Sequence, residues 1–186
     1  SMCPIPGRIM GSEPERGDIV VFRHPTLNTD YVKRVIGLPG DRIQMRQGTL
    51  YINGEAAPQV PAGTFEEILA PQGSFGTVPK CANAPVGQGG TCVKERAIET
   101  LPNGHEHAVL NVRDYPGIPD TTDVYTVPEA HFFFMGDNRD NSTDSRVSQR
   151  AGGVGMVPHE YLLGRVDRVI FSAAGKRLVY FWTWRG

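Results

Sequence analysis

The sequence predicts an all-β protein, built mainly of antiparallel strands with a few short helical turns. Chain breakers are frequent, since 22 Gly and 15 Pro occur among 186 residues, and this composition excludes a helical bundle. Short runs rich in Val, Ile, Tyr and Phe lie between the breakers, which is the pattern of strands joined by turns. No run of about 18 apolar residues occurs, so no membrane-spanning helix is predicted. The net charge of -1 does not favour a nucleic-acid partner.

The chain up to residue 55 is predicted to form one β-meander. Pro39-Gly40 and Asn53-Gly54 are strong turn sequences, and apolar residues dominate the segments between the turns. The expected strands are 18–23, 31–36, 42–45 and 49–52.

Lys33 lies within the second of these strands. Alternation places it on one face with Tyr31 and Val35, and places Arg34 on the opposite face. A covered lysine has its pKa lowered by burial and can then act as a general base. From this stretch alone, a lysine that reaches water from a sheet edge is the simpler interpretation.

Residues 56–120 are predicted to be an extension inserted into the β domain. Pro and Gly interrupt this region so often that we expect only short structure in it, at 65–69, 93–101 and a hairpin near 107–112. Cys81 and Cys92 flank a loop and could form a disulfide or remain free thiols. His105 and His107 are interpreted as loop histidines, because no further ligand follows at metal-site spacing.

The β pattern resumes after residue 120. Residues 131–136 contain four consecutive large apolar side chains and predict a strand buried on both faces. It leads directly into 137–146, where Asx and Ser side chains can bond to the local main chain and hold a site rigidly. Other expected elements are strands at 123–128 and 164–172, and one helical turn at 157–163 that begins near Pro158.

Three segments, 17–22, 31–41 and 136–146, together resemble bacterial type I signal peptidase (leader peptidase). The second and third match that family's lysine box and its GDN-x-x-x-S-x-D-S-R box almost letter for letter. The resemblance covers about 16–172, and the inserted region matches weakly. It implies a membrane-anchored Ser/Lys endopeptidase with an all-β catalytic domain on the periplasmic (outer) face of the bacterial inner membrane. Such an enzyme removes signal peptides after small residues, and no metal or cofactor is expected.

The resemblance also assigns roles to individual residues. Lys33 would be the general base, and Ser142 would hydrogen-bond its amine and orient it. The residues that would shape and hold the segment beneath them are Asp137, Arg139 and an ion pair of Asp144 with Arg146.

The family's nucleophile lies in an upstream Ser-Met-x-Pro box. The chain begins with Ser1-Met2-Cys3-Pro4, but Ile5 and Pro6 follow where the family has Thr and Leu. We interpret Ser1-Met2 as the remnant of a cleaved tag. The chain is therefore expected to lack the native nucleophile, the oxyanion serine and the membrane anchor, and to be inactive by itself. Ser1 as the true nucleophile is the alternative.

The predicted organisation is a loose leading segment (1–15), a catalytic β domain (16–55 with 121–175), the inserted extension (56–120) and an aromatic tail (176–186). The tail could be core or could rest on a membrane, and the membrane is favoured because Trp and Tyr prefer that interface. Expected partners are signal peptides of exported preproteins, the inner membrane surface and, through exposed sheet edges, a second copy. Alternative functions are a self-cleaving repressor-type Ser/Lys peptidase, or a noncatalytic β domain that binds peptides or membranes.

Overall fold

The computed structural model describes residues 13–72 and 76–166, together with the backbone of two short strands at 173–174 and 177–178. Strands dominate these residues, and helix is confined to 3₁₀ turns at Arg139–Asn141, Gln149–Ala151 and His159–Tyr161. The prediction of an all-β fold is confirmed. The expectation for Ser1 lies outside the described residues, and so does that for the aromatic tail (176–186), of which only the backbone of 177–178 is described.

The strands form three sheets and one small hairpin. A five-stranded sheet has the order β11-β10-β2-β1-β12, a four-stranded sheet β5-β4-β3-β9, a three-stranded sheet β6-β7-β8, and β13 pairs with β14. In chain order the strands are β1 Ile19–Arg23, β2 Asp30–Gly37, β3 Arg42–Arg46, β4 Thr49–Ile52, β5 Glu55–Ala56, β6 Gln59–Ile68, β7 Thr91–Thr100, β8 Glu106–Asn111, β9 Tyr125–Thr126, β10 His131–Met135, β11 Val157–Pro158, β12 Leu162–Arg165, β13 Ala173–Ala174 and β14 Arg177–Leu178.

The expected strands of the first 55 residues are present, but the prediction of one meander is wrong. Strands β1 and β2 form the predicted antiparallel pair, and β2 then pairs with β10 rather than with β3. The chain leaves β2 through a turn in which the Leu38 amide donates to Asp41 Oδ2 at 2.6 Å. This turn directs β3 and β4 into the second sheet, beside β9. Alternation along a strand predicts its faces and does not predict its partners.

Strand β10 separates two hydrophobic clusters. Phe132 and Phe134 pack in one cluster, and Phe133 and Met135 pack in the other. All four side chains are at most 2 % exposed, which confirms the prediction of a strand buried on both faces. The segment that follows β10 therefore starts from a fixed position between two cores.

Residues 56–120 are more regular than the sequence predicts. Two strands of ten residues, β6 and β7, pair along their length, and β8 adds the expected hairpin. Pro61 and Gly63 do not end β6, because the pairing with β7 changes register between Pro61 and Thr64. A bulge on a strand that is paired on one side can accommodate both breakers.

Two further predictions are settled by the structure. Cys81 and Cys92 form a disulfide, so the alternative of two free thiols is wrong. The helical turn expected at 157–163 is shorter than predicted: Val157–Pro158 is strand β11, only His159–Tyr161 is helical, and β12 begins at Leu162. Of the strand expected at 164–172, the part up to Arg165 is observed, and residues 167–172 are not described.

Candidate active site

Lys33 and Ser142 are brought together by the pairing of β2 with β10. Arg34 lies opposite Met135 in this pairing, so the start of the loop after β10 lies beside Lys33. Lys33 Nζ donates a hydrogen bond of 2.7 Å to Ser142 Oγ. Within the described residues this is the one hydrogen bond of the amine. Residues 109 positions apart in the chain thus form the contact that the resemblance predicts.

Burial lowers the pKa of Lys33 below its ordinary value of 10.5. The carboxylates of Asp144 and Asp137 oppose this shift, and the nearby guanidinium of Arg146 reinforces it. Because Asp144 and Arg146 neutralise each other, the amine does not face an uncompensated carboxylate. The surroundings therefore shift the amine toward its neutral form, which can accept a proton.

Asp144 and Arg146 form a buried ion pair beneath this contact. Arg146 Nε donates to Asp144 Oδ1 and Nη2 donates to Asp144 Oδ2, both at 2.9 Å. Asp144 Oδ2 also accepts from the Gly136 amide at 3.1 Å, and Arg146 Nη2 donates to the Arg139 carbonyl at 2.6 Å. The pair holds both ends of the loop between Gly136 and Arg146. Arg146 keeps the pKa of Asp144 below its ordinary value despite complete burial.

Asp137 and Arg139 bind partners that the sequence did not indicate. Asp137 accepts two hydrogen bonds from Arg34, at 2.8 Å from Nε and 2.7 Å from Nη2. Arg139 Nη2 donates to Glu99 of β7, in the inserted region. Arg34 was placed correctly on the face opposite Lys33, but nothing in its motif identifies an acidic partner 103 positions away.

The family of this chain follows from comparison with known proteins. A profile of the family described as signal peptidase, peptidase S26, matches residues 8–171. The chain belongs to this family. Signal peptidase I of Rickettsia typhi (strain ATCC VR-144 / Wilmington) is 37% identical over 172 residues, which cover 89% of this chain and 55% of the relative. Signal peptidase I of Rickettsia akari (strain Hartford) is 38% identical with the same coverage.

This member of the signal peptidase family spans about half the length of the curated relatives it matches. A crystal structure of a signal peptidase I from Enterococcus faecalis V583 aligns with a TM-score of 0.42 and 23% identity, covering 83% of this chain and 97% of that chain. The family assignment rests on the profile and on the Rickettsia relatives.

In this member of the signal peptidase family, Gly136 directly follows β10 and lies against the side chains of Ser142 and Lys33. A Cβ atom on Gly136 would lie 2.2 Å from Ser142 Oγ and 3.3 Å from Lys33 Nζ. The first separation is far inside van der Waals contact, so only glycine lets Ser142 lie this close to the strand end. The same residue donates its amide to Asp144.

The two histidines of the inserted region are not both loop residues, and this interpretation is corrected. His107 belongs to β8 and is buried, and its Nε2 lies 3.4 Å from Glu99 Oε1. Burial lowers the pKa of His107 to about 4, against the opposing charge of Glu99. His105 precedes β8 and its Nε2 lies 3.3 Å from Arg34 Nη1. No group of three or more metal-binding side chains occurs in the part of the chain that the structure describes.

The inserted region therefore contacts the site at several points that the sequence did not reveal. Besides Glu99 and His105, the Leu110 amide donates to the Asp137 carbonyl at 2.8 Å, and the Val112 amide donates to Asp140 Oδ2 at 2.6 Å. In the sequence, a single acidic residue in an alternating strand, such as Glu99, cannot be distinguished from an ordinary solvent-exposed residue. Only the fold shows that it is buried against Arg139.

Proposed function

We propose that this chain carries the general-base part of the Ser/Lys catalytic site of a signal peptidase, an endopeptidase that removes signal peptides from exported preproteins. The observation that carries the proposal is the 2.7 Å contact of a partly buried lysine with Ser142, in a chain of the signal peptidase family. Lys33 is the general base and Ser142 orients it. Asp144 with Arg146, and Asp137 and Arg139 with their partners, hold the segment in place.

The chemistry follows from the state of the amine. A serine hydroxyl is a weak nucleophile until a neighbouring base removes its proton. A neutral Lys33 that donates one N–H to Ser142 Oγ has its lone pair directed elsewhere, toward an incoming hydroxyl. Lys33 would take the proton of the nucleophilic serine, a residue other than Ser142, as that serine attacks the scissile carbonyl. The resulting Lys33 ammonium would then protonate the leaving amine. Within residues 13–72 and 76–166, no second serine hydrogen-bonds Lys33.

The proposed location is the outer, periplasmic face of the bacterial inner membrane. The Cys81–Cys92 disulfide supports it, because structural disulfides persist in oxidising compartments. None of the helices described here has the length and apolarity needed to cross a bilayer. Proposed partners are signal peptides and the membrane surface. A second copy pairing along the edge strand β6 is a further proposal, which light scattering of the purified chain would test.

The direct test is cleavage of a preprotein. The 186-residue chain and the full product of its gene are each incubated with a preprotein, and mass spectrometry identifies the cut. We expect cleavage by the full gene product after a small residue. Cleavage that persists when Lys33 is replaced would contradict the proposed role of the lysine. If neither protein cleaves any signal-peptide substrate, a noncatalytic peptide-binding domain becomes the better assignment.

The pH dependence of cleavage should report Lys33. Because the base must be neutral, kcat/KM should rise with pH through the Lys33 pKa and level off above it. Burial lowers this pKa, so the plateau should begin below the pH at which an ordinary lysine loses its proton. The measurement is kcat/KM from about pH 6 to 10 at constant ionic strength. A flat profile over this range would count against Lys33 as the base.

Substitution of Gly136 by alanine should lower cleavage by about 100-fold, because displacing a catalytic group by about 1 Å has effects of this size. The added methyl group would push Ser142 away from Lys33. Gly164→Ala is the matched control, since a Cβ atom there meets no atom within 4 Å. Equal activities of the two variants in the same assay would show that the close approach at Gly136 is not required.

A further inference from the structure

Asn141 joins the candidate site to the loop that is closed by the Cys81–Cys92 disulfide. Its side-chain Oδ1 accepts a hydrogen bond of 2.6 Å from the Lys80 amide, and its Nδ2 donates to the Lys80 carbonyl at 3.2 Å. The side-chain amide thus pairs with both main-chain groups of one residue, as a neighbouring strand would. We call this two-way contact the Asn141–Lys80 clasp.

One end of the clasp lies next to the disulfide, and the other end lies next to Ser142. Lys80 directly precedes Cys81, whose disulfide to Cys92 is buried and whose neighbour Ala82 donates to the Val93 carbonyl at 2.8 Å. Asn141 directly precedes Ser142, which receives the Lys33 hydrogen bond. The main chain at the base of the disulfide loop is therefore a fixed support one residue away from Ser142.

The clasp supplies the upstream anchor of a very short segment. Downstream of Ser142, Asp144 is fixed by Arg146 and by the Gly136 amide. Only Ser142 and Thr143 lie between Asn141 and this anchor. Asp140, one residue upstream, would still be held by the Val112 amide, so loss of the clasp would free Asn141 alone and let Ser142 move away from Lys33.

We propose that Asn141 is a positioning residue for the Lys33–Ser142 pair, and that it acts through the main chain of Lys80 at the base of the disulfide loop. The role rests on the proposed function, in which Ser142 orients the catalytic amine. It gives the disulfide a part in the reaction, because the bond to Cys92 holds the support on which Asn141 rests.

The test is a titration of Lys33 in the folded 186-residue chain, followed by NMR of the labelled lysine side chain. In Asn141→Ala, water should reach the amine, and the Lys33 pKa should rise toward its ordinary value. A merely structural role would lower the melting temperature without moving this pKa. In the full gene product the same variant should lower kcat by roughly tenfold with KM little changed, the loss that one net hydrogen bond of the clasp would produce.

Asn83→Ala is the matched control. The Asn83 side chain makes the same kind of two-way contact within the disulfide loop, donating to the Thr91 carbonyl at 2.9 Å and accepting from the Val93 amide at 3.0 Å. It has no hydrogen bond to residues 137–146 among the described residues. Asn83→Ala should destabilise the loop and leave the Lys33 pKa and kcat unchanged.

Reduction of the disulfide gives a second measurement, the first part of which uses the unsubstituted chain alone. A thiol reductant should raise the Lys33 pKa in the unsubstituted chain and produce no further rise in Asn141→Ala. An equal rise in both proteins, or a lowered pKa that Asn141→Ala does not move, would overturn the role of Asn141 and leave the proposed function standing. An ordinary lysine titration in the unsubstituted chain would overturn both.

Discussion

Replacing Lys33 by methionine should abolish cleavage and should also make the folded chain more stable at neutral pH. A general base contributes about 10²–10⁴-fold to the rate, and methionine has no basic group. The gain in stability follows from burial, since the folded chain no longer has to hold an ammonium group in a poorly solvated position. The measurements are kcat/KM of the full gene product and urea unfolding of the 186-residue chain.

The pH dependence of that gain has a definite sign. The folded-state pKa of Lys33 lies below the ordinary value of 10.5, so the unfolded chain binds the proton more tightly. The resulting destabilisation is complete below the lowered pKa and disappears as the pH rises through 10.5. The stability difference between Lys33→Met and the unsubstituted chain should therefore be largest at neutral pH and shrink in alkali.

Lys94→Met is the control, because we expect it to lower the stability of the folded chain where Lys33→Met raises it. Lys94 is fully buried, whereas Lys33 is only partly buried, and the Lys94 ammonium is paired with the carboxylate of Glu67 in the three-stranded sheet. Its removal leaves Glu67 without that partner and should destabilise the chain while leaving cleavage intact. If both lysine variants lose stability at pH 7, the Lys33 amine is not poorly solvated and is unsuited to be the base.

Asp144→Ala should lower the free energy of unfolding by about 3–5 kcal/mol, the usual result of removing one partner from a buried ion pair. The Arg146 guanidinium would remain, 2 % exposed, with only carbonyl oxygens of Arg139 and Pro119 to accept from it. The Gly136 amide would also lose its acceptor. Urea unfolding at neutral pH measures the change.

Asp30→Ala provides the matched comparison for Asp144→Ala. Its partner is Arg23, and the two side chains are 48% and 43% exposed, so the loss should stay below about 1 kcal/mol. The pKa of Asp144 is lowered in the fold, so its stabilisation is present above the ordinary value of 3.8 and is lost as the pH falls through the folded-state pKa. Similar losses in the two variants would show that the Asp144 pair is not buried from solvent.

The Lys33–Ser142 contact could be predicted because the two segments resemble two boxes of one family, and the local pattern predicted only the elements on which the residues lie. Lys33 belongs to an alternating strand, and Ser142 follows four consecutive buried apolar residues. The pairing of β2 with β10, which creates the contact, was not predicted, because periodicity along a strand does not identify its partners. The partners of Asp137 and Arg139 could not be predicted, since Arg34 and Glu99 carry no local signal of their contacts.

The region 56–120 shows where local rules fail for a different reason. Proline and glycine counts predict broken structure, but a bulge can absorb Pro61 and Gly63 when long-range pairing stabilises the strand around them. Whether the two cysteines are bonded depends on the same pairing, because the disulfide loop lies between β6 and β7.

The ion pair of Arg139 with Glu99 limits how far this chain can be shortened without disturbing the candidate site. Deleting 56–120 would keep all six residues that the resemblance assigns to the site. It would leave the Arg139 guanidinium without its carboxylate, Asn141 without the Lys80 main chain, and Asp140 without the Val112 amide. Residues 56–120 are thus not a detachable module, and loop grafting between family members would have to transfer these contacts together with the two motif segments.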